Sequence, residues 1–598
     1  MQVKKLSWYD KLMYKKYLRA NDLNKIGNWN NEIYKQNYNE YLLDYKNLYK
    51  NVKSVAPLNK AKFKNTGVIY QVLTYSFADG NNDGIGDFIG LKEKLDYIDN
   101  LGVDQIWLSP LHPSPSYHGY GVIDYTKVAK QLGGMEAFRE FLEAAHHKGI
   151  KVYLDLVFNH TSYEHPWFQA ALNGDEYYQK FYQFDIKHYD ADVKQDSEVV
   201  RKRFWNIQKQ AASNLKYIGR FWAGMPDLNL NNKDVIEQLI AIQQYWIAVG
   251  VDGFRYDAIA EFFSSENEEK TKYNEAKIFY ELRQASNKLT KKLKRDEVYM
   301  IGEWIGSSPL KALKYLIYKG SYGLNTTYDG YKYFALNPDV RVNYSDTKKI
   351  VELYENVHSK SGWVPFLDNH DMLRWIDNYR IQAEKLSSFK LNQKITAQEI
   401  EALHIALLSL FALPGQPILY YGDELNYYGT RKYGDPSLRE PLRWNNQKFN
   451  CFFSNSTTNA DYTYVLQTYS RHLNTVENII NEPNSTYKLI QTLTDLRIKY
   501  PFLKETKSST FLNPELVVDT TDPTSFILRK DEQKNKYLLF AFCNYQNTKI
   551  VANKISRDFH FKELFSYQAT NHSWNLEIAQ GGYIVYELTE KLLDEEEH

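Results

Sequence analysis

KVYLDLVFNH, residues 151–160, is an apolar run that ends in ionisable and amide side chains, and the chain repeats this layout at GFRYDA (253–258), IGEW (301–304) and FLDNHD (366–371). An apolar run with polar groups gathered at its end reads as a parallel strand buried on both faces, its carboxyl end open to a cleft. Four such ends, far apart in the chain, are the layout of a (β/α)8 barrel, which draws its site from the carboxyl ends of several strands.

Working outward from that run, VIYQVLTYSF (68–77) and QIWLSPL (105–111) precede it as strands one and two, and MEAFREFLEAAHHKGI (135–150) has helical spacing. VYMIGEW, YGLNTTYD, GWVPFLD and QPILYYGDE supply strands five to eight after GFRYDA, and TYKLIQTLTDLRIKY completes the last unit. Residues 161–228 are too long for a turn and predict a subdomain overhanging the mouth. Beyond about 505, alternating runs such as KYLLFAFCNY and GGYIVYEL predict an all-β domain, with LLDEEEH as a solvated end. The expected fold is thus α/β: a (β/α)8 TIM barrel (63–160 and 229–505) with an inserted subdomain after strand three and a C-terminal antiparallel β-sandwich (506–598). Residues 1–62, where Tyr34, Tyr38, Tyr41, Leu42, Tyr45 and Leu48 recur at helical spacing, predict a helical extension, with a flexible tail as the alternative.

Composition narrows the chemistry. Lys plus Arg number 74 against 73 Asp plus Glu, a formal net charge of +1 that gives no electrostatic reason for a nucleic-acid or anionic-membrane partner. Cys451 and Cys543 are the only cysteines, so at most one bridge exists and a reducing compartment is permitted. With neither a signal-peptide core nor a run of about twenty apolar residues, the sequence as given reads as cytoplasmic, or as secreted if a leader was removed. Fifty Tyr, thirty Phe and twelve Trp supply rings suited to core packing and to stacking on sugar faces.

Asp257, Glu303 and Asp371 each follow a different strand, so barrel closure brings three carboxyls into one mouth. Cleavage of a glycosidic bond needs such a set: one carboxylate to attack the anomeric carbon, and one carboxyl to protonate the departing oxygen. Arg255, two residues before Asp257 on the same strand face, is expected to hold it ionised, and Glu303, beside Trp304 and other carboxylates, to be pushed toward the protonated form. His160 and His370 are candidate donors to sugar hydroxyls; taken singly, each also reads as a satisfied core histidine.

With these residues in view, the chain resembles the α-amylase family of glycoside hydrolases over roughly residues 66 to 590. DLVFNH, GFRYDA, IGEW and FLDNHD match the family's four signature regions in order, and MPDLN (225–229) its fifth. The resemblance implies Asp257 as nucleophile, Glu303 as acid/base and Asp371 as transition-state stabiliser, with Arg255, His160 and His370 around the sugar beside the scissile bond. It places a stacking tyrosine at Tyr120 and a neighbouring-subsite pair at Asp435 and Arg439, for which a surface ion pair of little energetic worth is the alternative. DGNNDGIGD (79–87) sets Asp79, Asn81, Asp83 and Asp87 at alternate positions, an all-oxygen set for a hard cation. It resembles the calcium loop of oligo-1,6-glucosidase-like members, in which the carbonyl at Ile85 also coordinates; a metal-free Asx-rich turn is the alternative.

The pattern departs from the family in places. Gly121 follows the HGY tripeptide where exo-acting members carry Asp, and Ala260 and Glu261 stand where many amylases carry Lys and His. Glu261 is similar to neopullulanases, although those carry Lys where Asp227 sits; Asn229 and the missing His depart from the family's calcium site between barrel and subdomain, whose existence here the sequence leaves open, so Asn159 is kept off the metal candidates. The resemblance implies a retaining, endo-acting hydrolase of α-1,4-glucans or maltodextrins. A transglycosylase, a neopullulanase or oligo-1,6-glucosidase-like hydrolase, and a non-catalytic carbohydrate-binding subunit are the rivals. Oligomeric state is not legible.

Overall fold

The computed structural model describes residues 44–184, 204–206, 216–221, 223–262, 275–304, 309–328, 341–358, 361–382, 394–429, 435–445, 473–544, 547, 549–556, 558–572 and 575–591. Seven parallel strands form its central sheet: β1 (Ile69–Val72), β2 (Gln105–Leu108), β3 (Lys151–Leu156), β4 (Gly253–Tyr256), β5 (Tyr299–Glu303), β6 (Thr326–Tyr328) and β7 (Ile418–Tyr420). Their order is β6-β5-β4-β3-β2-β1-β7, each of β1 to β6 lying beside its sequence neighbour, as a barrel requires. The stretch GWVPFLD, expected as a strand, forms no ladder. Phe366 makes one parallel bridge to Ile418, and the N–H groups of Gln416 and Ile418 donate to the carbonyls of Trp363 and Pro365 at 2.9 Å each. Pro365 accepts from Ile418 but lacks the N–H that would complete the ladder with β7.

Helices α1 (Gly134–Lys148), α2 (Lys233–Val249), α3 (Glu275–Leu293), α4 (Tyr344–Val357), α5 (Ala397–Ala412) and α6 (Thr486–Lys499) pack around this sheet. α5 starts at a full capping box, in which Thr396 and Glu399 each accept from the other's backbone N–H. Strand periodicity sorts the interior into layers. Ile69, Trp107, Tyr153, Ile301, Val364, Phe366, Met372 and Ile418 form one apolar cluster inside the barrel. Two residues further along β1, β3 and β5 come Gln71, Asp155 and Glu303, with Arg255 beside Asp155 in the β3/β4 register. The alternation that buries the plug therefore aims polar groups at the mouth.

Between β3 and α2, the described part of the inserted segment holds helices Pro166–Leu172 and Glu176–Gln179 and a hairpin, Phe204–Asn206 with Lys216–Ile218. The antiparallel bridge His160–Asp227 ties it to the chain following β3, and Tyr182–Leu228 pairs the segment with itself. Toward the C-terminus, β8 (Phe526–Asp531), β9 (Lys536–Phe542), β10 (Lys549–Ile555), β11 (Phe559–His572) and β12 (Asn575–Glu590) join Phe511–Leu512 and Val518–Thr520 in an antiparallel sheet. β12 pairs β10 with its first half and β9 with its second, and Phe526, Leu539, Ile550, Leu576 and Tyr586 share one core, so the sheet folds over on itself.

Tyr34, Tyr38, Tyr41, Leu42, Cys451 and LLDEEEH lie outside the described residues. Of residues 44–62, only Leu48–Asn51 is helical, as a 3-10 turn preceded by Asn47 in the left-handed region. The rest docks on the barrel: Tyr45 is fully buried, its N–H donating to Gln238 Oε1 at 2.8 Å, and the Val55 N–H donates to the Val249 carbonyl at 2.9 Å. No helix among the described residues is long and apolar enough to cross a membrane.

Candidate active site

Arg255 is the hub of the mouth. Its Nη1 donates to both oxygens of Asp155, at 2.8 and 2.9 Å, and to Asp257 Oδ1 at 2.8 Å, while Nη2 lies 2.9 Å from Glu303 Oε2. The guanidinium carbon sits 5.2 Å from the centre of the Trp107 ring, which packs under it. One delocalised fork thus carries three carboxyls, a geometry open to arginine and not to lysine. Ala258, directly after Asp257, is held at φ 48°, and its N–H donates to Glu303 Oε2 at 2.7 Å. A left-handed alanine costs about 1 kcal/mol, a small local strain that ties the ends of β4 and β5 together.

From Asp155 the chain of contacts continues to Asp371. The Tyr120 hydroxyl lies 3.2 Å from Asp155 Oδ2 and 2.5 Å from His370 Nε2, and His370 Nε2 is 3.1 Å from Asp371 Oδ2. The rings of Tyr120 and His370 stack with an interplanar angle of 2°. Gln71 Nε2 donates to His370 Nδ1 at 2.7 Å, which leaves the ring proton on Nε2, facing Tyr120 and Asp371. Arg439 closes the other end: it donates to Asp371 Oδ1 at 2.8 Å, to the Tyr117 hydroxyl at 2.9 Å and to the His370 carbonyl at 3.0 Å, and lies 3.6 Å from Asp435. Asp257, Glu303 and Asp371 therefore belong to one connected site, with side-chain exposures of 10, 13 and 37 % that keep all three reachable from solvent.

The environments pull the three apart. Burial raises Glu303 to about 7 despite Arg255, with the Asp257 and Asp371 charges adding to the rise. Burial also raises Asp257, to about 6, because Arg255 divides its charge among three partners; the expectation that Arg255 would dominate meets this larger desolvation. Asp371 is desolvated too, but His370, Arg439 and Arg255 outweigh that, and it falls to about 2. Burial lowers His370 to about 3 and His160 to about 4, so both are neutral at pH 7. Such a set offers a neutral carboxyl beside a carboxylate, the prerequisite for proton donation and nucleophilic attack in one pocket.

Most residues singled out in the sequence meet here, with different partners for some. His160 Nε2 is 3.1 Å from the Tyr120 carbonyl and Nδ1 is 3.3 Å from Asn159 Nδ2, so protein groups satisfy both nitrogens. Arg439 is buried and bonded chiefly to Asp371, whereas Asp435 is exposed. Asp155 and Gln71 are site residues that motif reading passed over. Their signal is a polar side chain inside an apolar strand run, which burial makes costly without a partner.

In the 79–87 loop, Asp79 accepts from the N–H groups of Asn82 and Gly84, Asn81 from that of Asp83, Asp83 from that of Ile85, and Asp87 Oδ1 from those of Gly80 and Gly90. Asp87 Oδ2 is buried without a hydrogen-bond partner. Among the described residues, no three His, Cys, Asp or Glu side chains are grouped as a metal-binding cluster.

Comparison with known proteins agrees with this geometry. The family model "Alpha amylase, catalytic domain" matches residues 71–506. The chain is 31 % identical over 459 residues to "Alpha-amylase 3" of Dictyoglomus thermophilum, covering 74 % of this chain and 78 % of that one. It is 31 % identical over 389 residues to a 4-alpha-glucanotransferase of Thermotoga neapolitana, covering 63 % and 75 %. Among solved structures, Eubacterium rectale Amy13B superposes with a TM-score of 0.67 at 22 % identity, over 90 % of this chain and 100 % of that one, a likeness of fold.

Proposed function

The chain belongs to the α-amylase family of glycoside hydrolases and transglycosylases, which act by double displacement, and from that premise we propose that it is an endo-acting α-amylase cleaving α-1,4 bonds of starch-type glucans or maltodextrins. In this reading Asp257 attacks the anomeric carbon, Glu303 protonates the leaving oxygen and then deprotonates the incoming water, and Asp371 stabilises the oxocarbenium-like transition state. Tyr120, Arg255 and His370 hold the sugar being cleaved, His160 fixes the Tyr120 backbone beside it, and Arg439 with Asp435 lines the next subsite.

One observation carries this assignment: a single hydrogen-bonded chain joins three carboxyls in one solvent-reachable mouth, with burial raising Glu303 and Asp257 while Asp371 is held low. Gly121, which stands where the resemblance gives exo-acting members an Asp, supports endo action. The 79–87 loop is proposed as a structural calcium site through Asp79, Asn81, Asp83, Ile85 and Asp87; the all-oxygen donor set and the unpartnered Asp87 Oδ2 fit a hard cation. The ion would brace the loop and take no part in the reaction.

Maltoheptaose, starch and pullulan test the proposal together. Short maltooligosaccharides from the first two are the expected products, with retained anomeric configuration. Asp257→Asn and Glu303→Gln should each lower kcat by about three or more orders of magnitude with the fold intact. Products longer than maltoheptaose would replace hydrolysis by transfer, cleavage of pullulan alone would move the activity to the neopullulanase type, and binding without any cleavage would leave a carbohydrate-binding protein.

A further inference from the structure

Two aromatic side chains are among the exposed large apolar residues described, Tyr177 and Phe221, and only Phe221 lies against the site. Its ring is half exposed, at 50 %, and its centre is 5.1 Å from that of His160. An apolar ring left in water at the rim of a sugar-cleaving pocket presents the flat face on which the C–H side of a pyranose packs.

The backbone that carries it is held firmly. Arg220, almost fully buried, lies 3.1 Å from Asp227 Oδ2 through Nε and 2.9 Å from Glu261 Oε2 through Nη1, donates also to the Glu261 carbonyl, and its own N–H donates to Asp227 Oδ1 at 3.3 Å. Asp227 in turn bridges His160 at the end of β3. Phe221 is therefore positioned from two sides, by the inserted segment and by the turn after β4. That turn, Ile259–Glu261, begins at Ala258, whose N–H bonds Glu303. The Arg220 brace thus ends in the segment adjoining the carboxyl assigned as proton donor to the departing sugar.

We propose that Phe221 is the stacking platform for the sugar on the leaving-group side of the scissile bond, and that Arg220, bridging Asp227 and Glu261, positions it. This rests on the α-glucan reading above. Glu261 serves the Arg220 brace, which holds the Phe221 backbone beside the turn after β4.

The test compares maltoheptaose, which has a leaving sugar, with α-maltotriosyl fluoride, which has none. Phe221→Ala should lower kcat/KM on maltoheptaose by about tenfold and leave fluoride release from the fluoride substrate within about twofold. Phe221→Tyr, which keeps the ring, should stay near the unsubstituted protein on both. Equal losses on the two substrates, or no loss on either, overturn the platform. If the unsubstituted protein turns over neither substrate, the α-glucan reading itself fails and takes the platform with it, an outcome distinguishable from failure of the Phe221 assignment alone.

Discussion

At the scale of single residues, the site is governed by competition for one charge. Arg255 serves Asp155, Asp257 and Glu303 at once, and burial therefore prevails at each of the three. Under the proposed roles, Asp257 must be ionised and Glu303 protonated, so activity is lost as pH falls through about 6 and again as it rises through about 7. The expected kcat/KM profile on maltoheptaose is a narrow bell between those values, the two limbs belonging to the interacting set. Asp155→Asn removes a negative neighbour that raises Asp257, so the acid limb should move to lower pH. A flat profile, or an acid limb that rises in that variant, would refute the assignment. The types of the three carboxyls and of Arg255, and the strand ends that carry Asp257 and Glu303, were legible in the sequence, whereas the run before Asp371 makes one bridge and no ladder. The division of Arg255 was not, because distances of a few ångströms between residues a hundred positions apart are set by strand register.

At the scale of elements, β3 shows how much a local pattern can state and where it stops. The run Lys151 to Val157 announces a buried strand, and Asp155 within it announces a partner, but Arg255 becomes that partner only through the pairing of β3 with β4. GWVPFLD shows the opposite case, in which an apolar strand-like run carries a proline that forbids part of the ladder. The 79–87 loop is a third case, since alternate Asx residues serve either backbone amides or a cation. If the loop holds calcium, EGTA should lower the thermal midpoint of the protein and added calcium should restore it, the bound ion stabilising only the folded chain. An unchanged midpoint would leave the Asx turns as the whole purpose of the motif.

At the scale of the whole molecule, the barrel and the C-terminal sheet are joined through a buried cation bonded to backbone carbonyls. Arg529, on β8, donates to the carbonyls of Thr510, Ala412, Leu503, Phe502 and Glu505, the second of these at the end of α5. Arg529→Met leaves these carbonyls buried without a donor and should cost about 3 kcal/mol or more, read as a lower urea midpoint of the full chain; an unchanged midpoint would show the contact to be dispensable. By itself the sequence determined the barrel, its strand-end carboxyls, the insertion after β3 and the terminal β domain, because apolar period and strand-end chemistry are written in neighbouring residues. Only the tertiary structure decided that Asp155 and Gln71 enter the site, that Arg439 takes Asp371 ahead of Asp435, that Phe221 stands beside His160, and that burial outweighs Arg255 at Asp257. Those outcomes follow from strand register, burial and through-space charge, none of which exists until the strands have closed around a common axis.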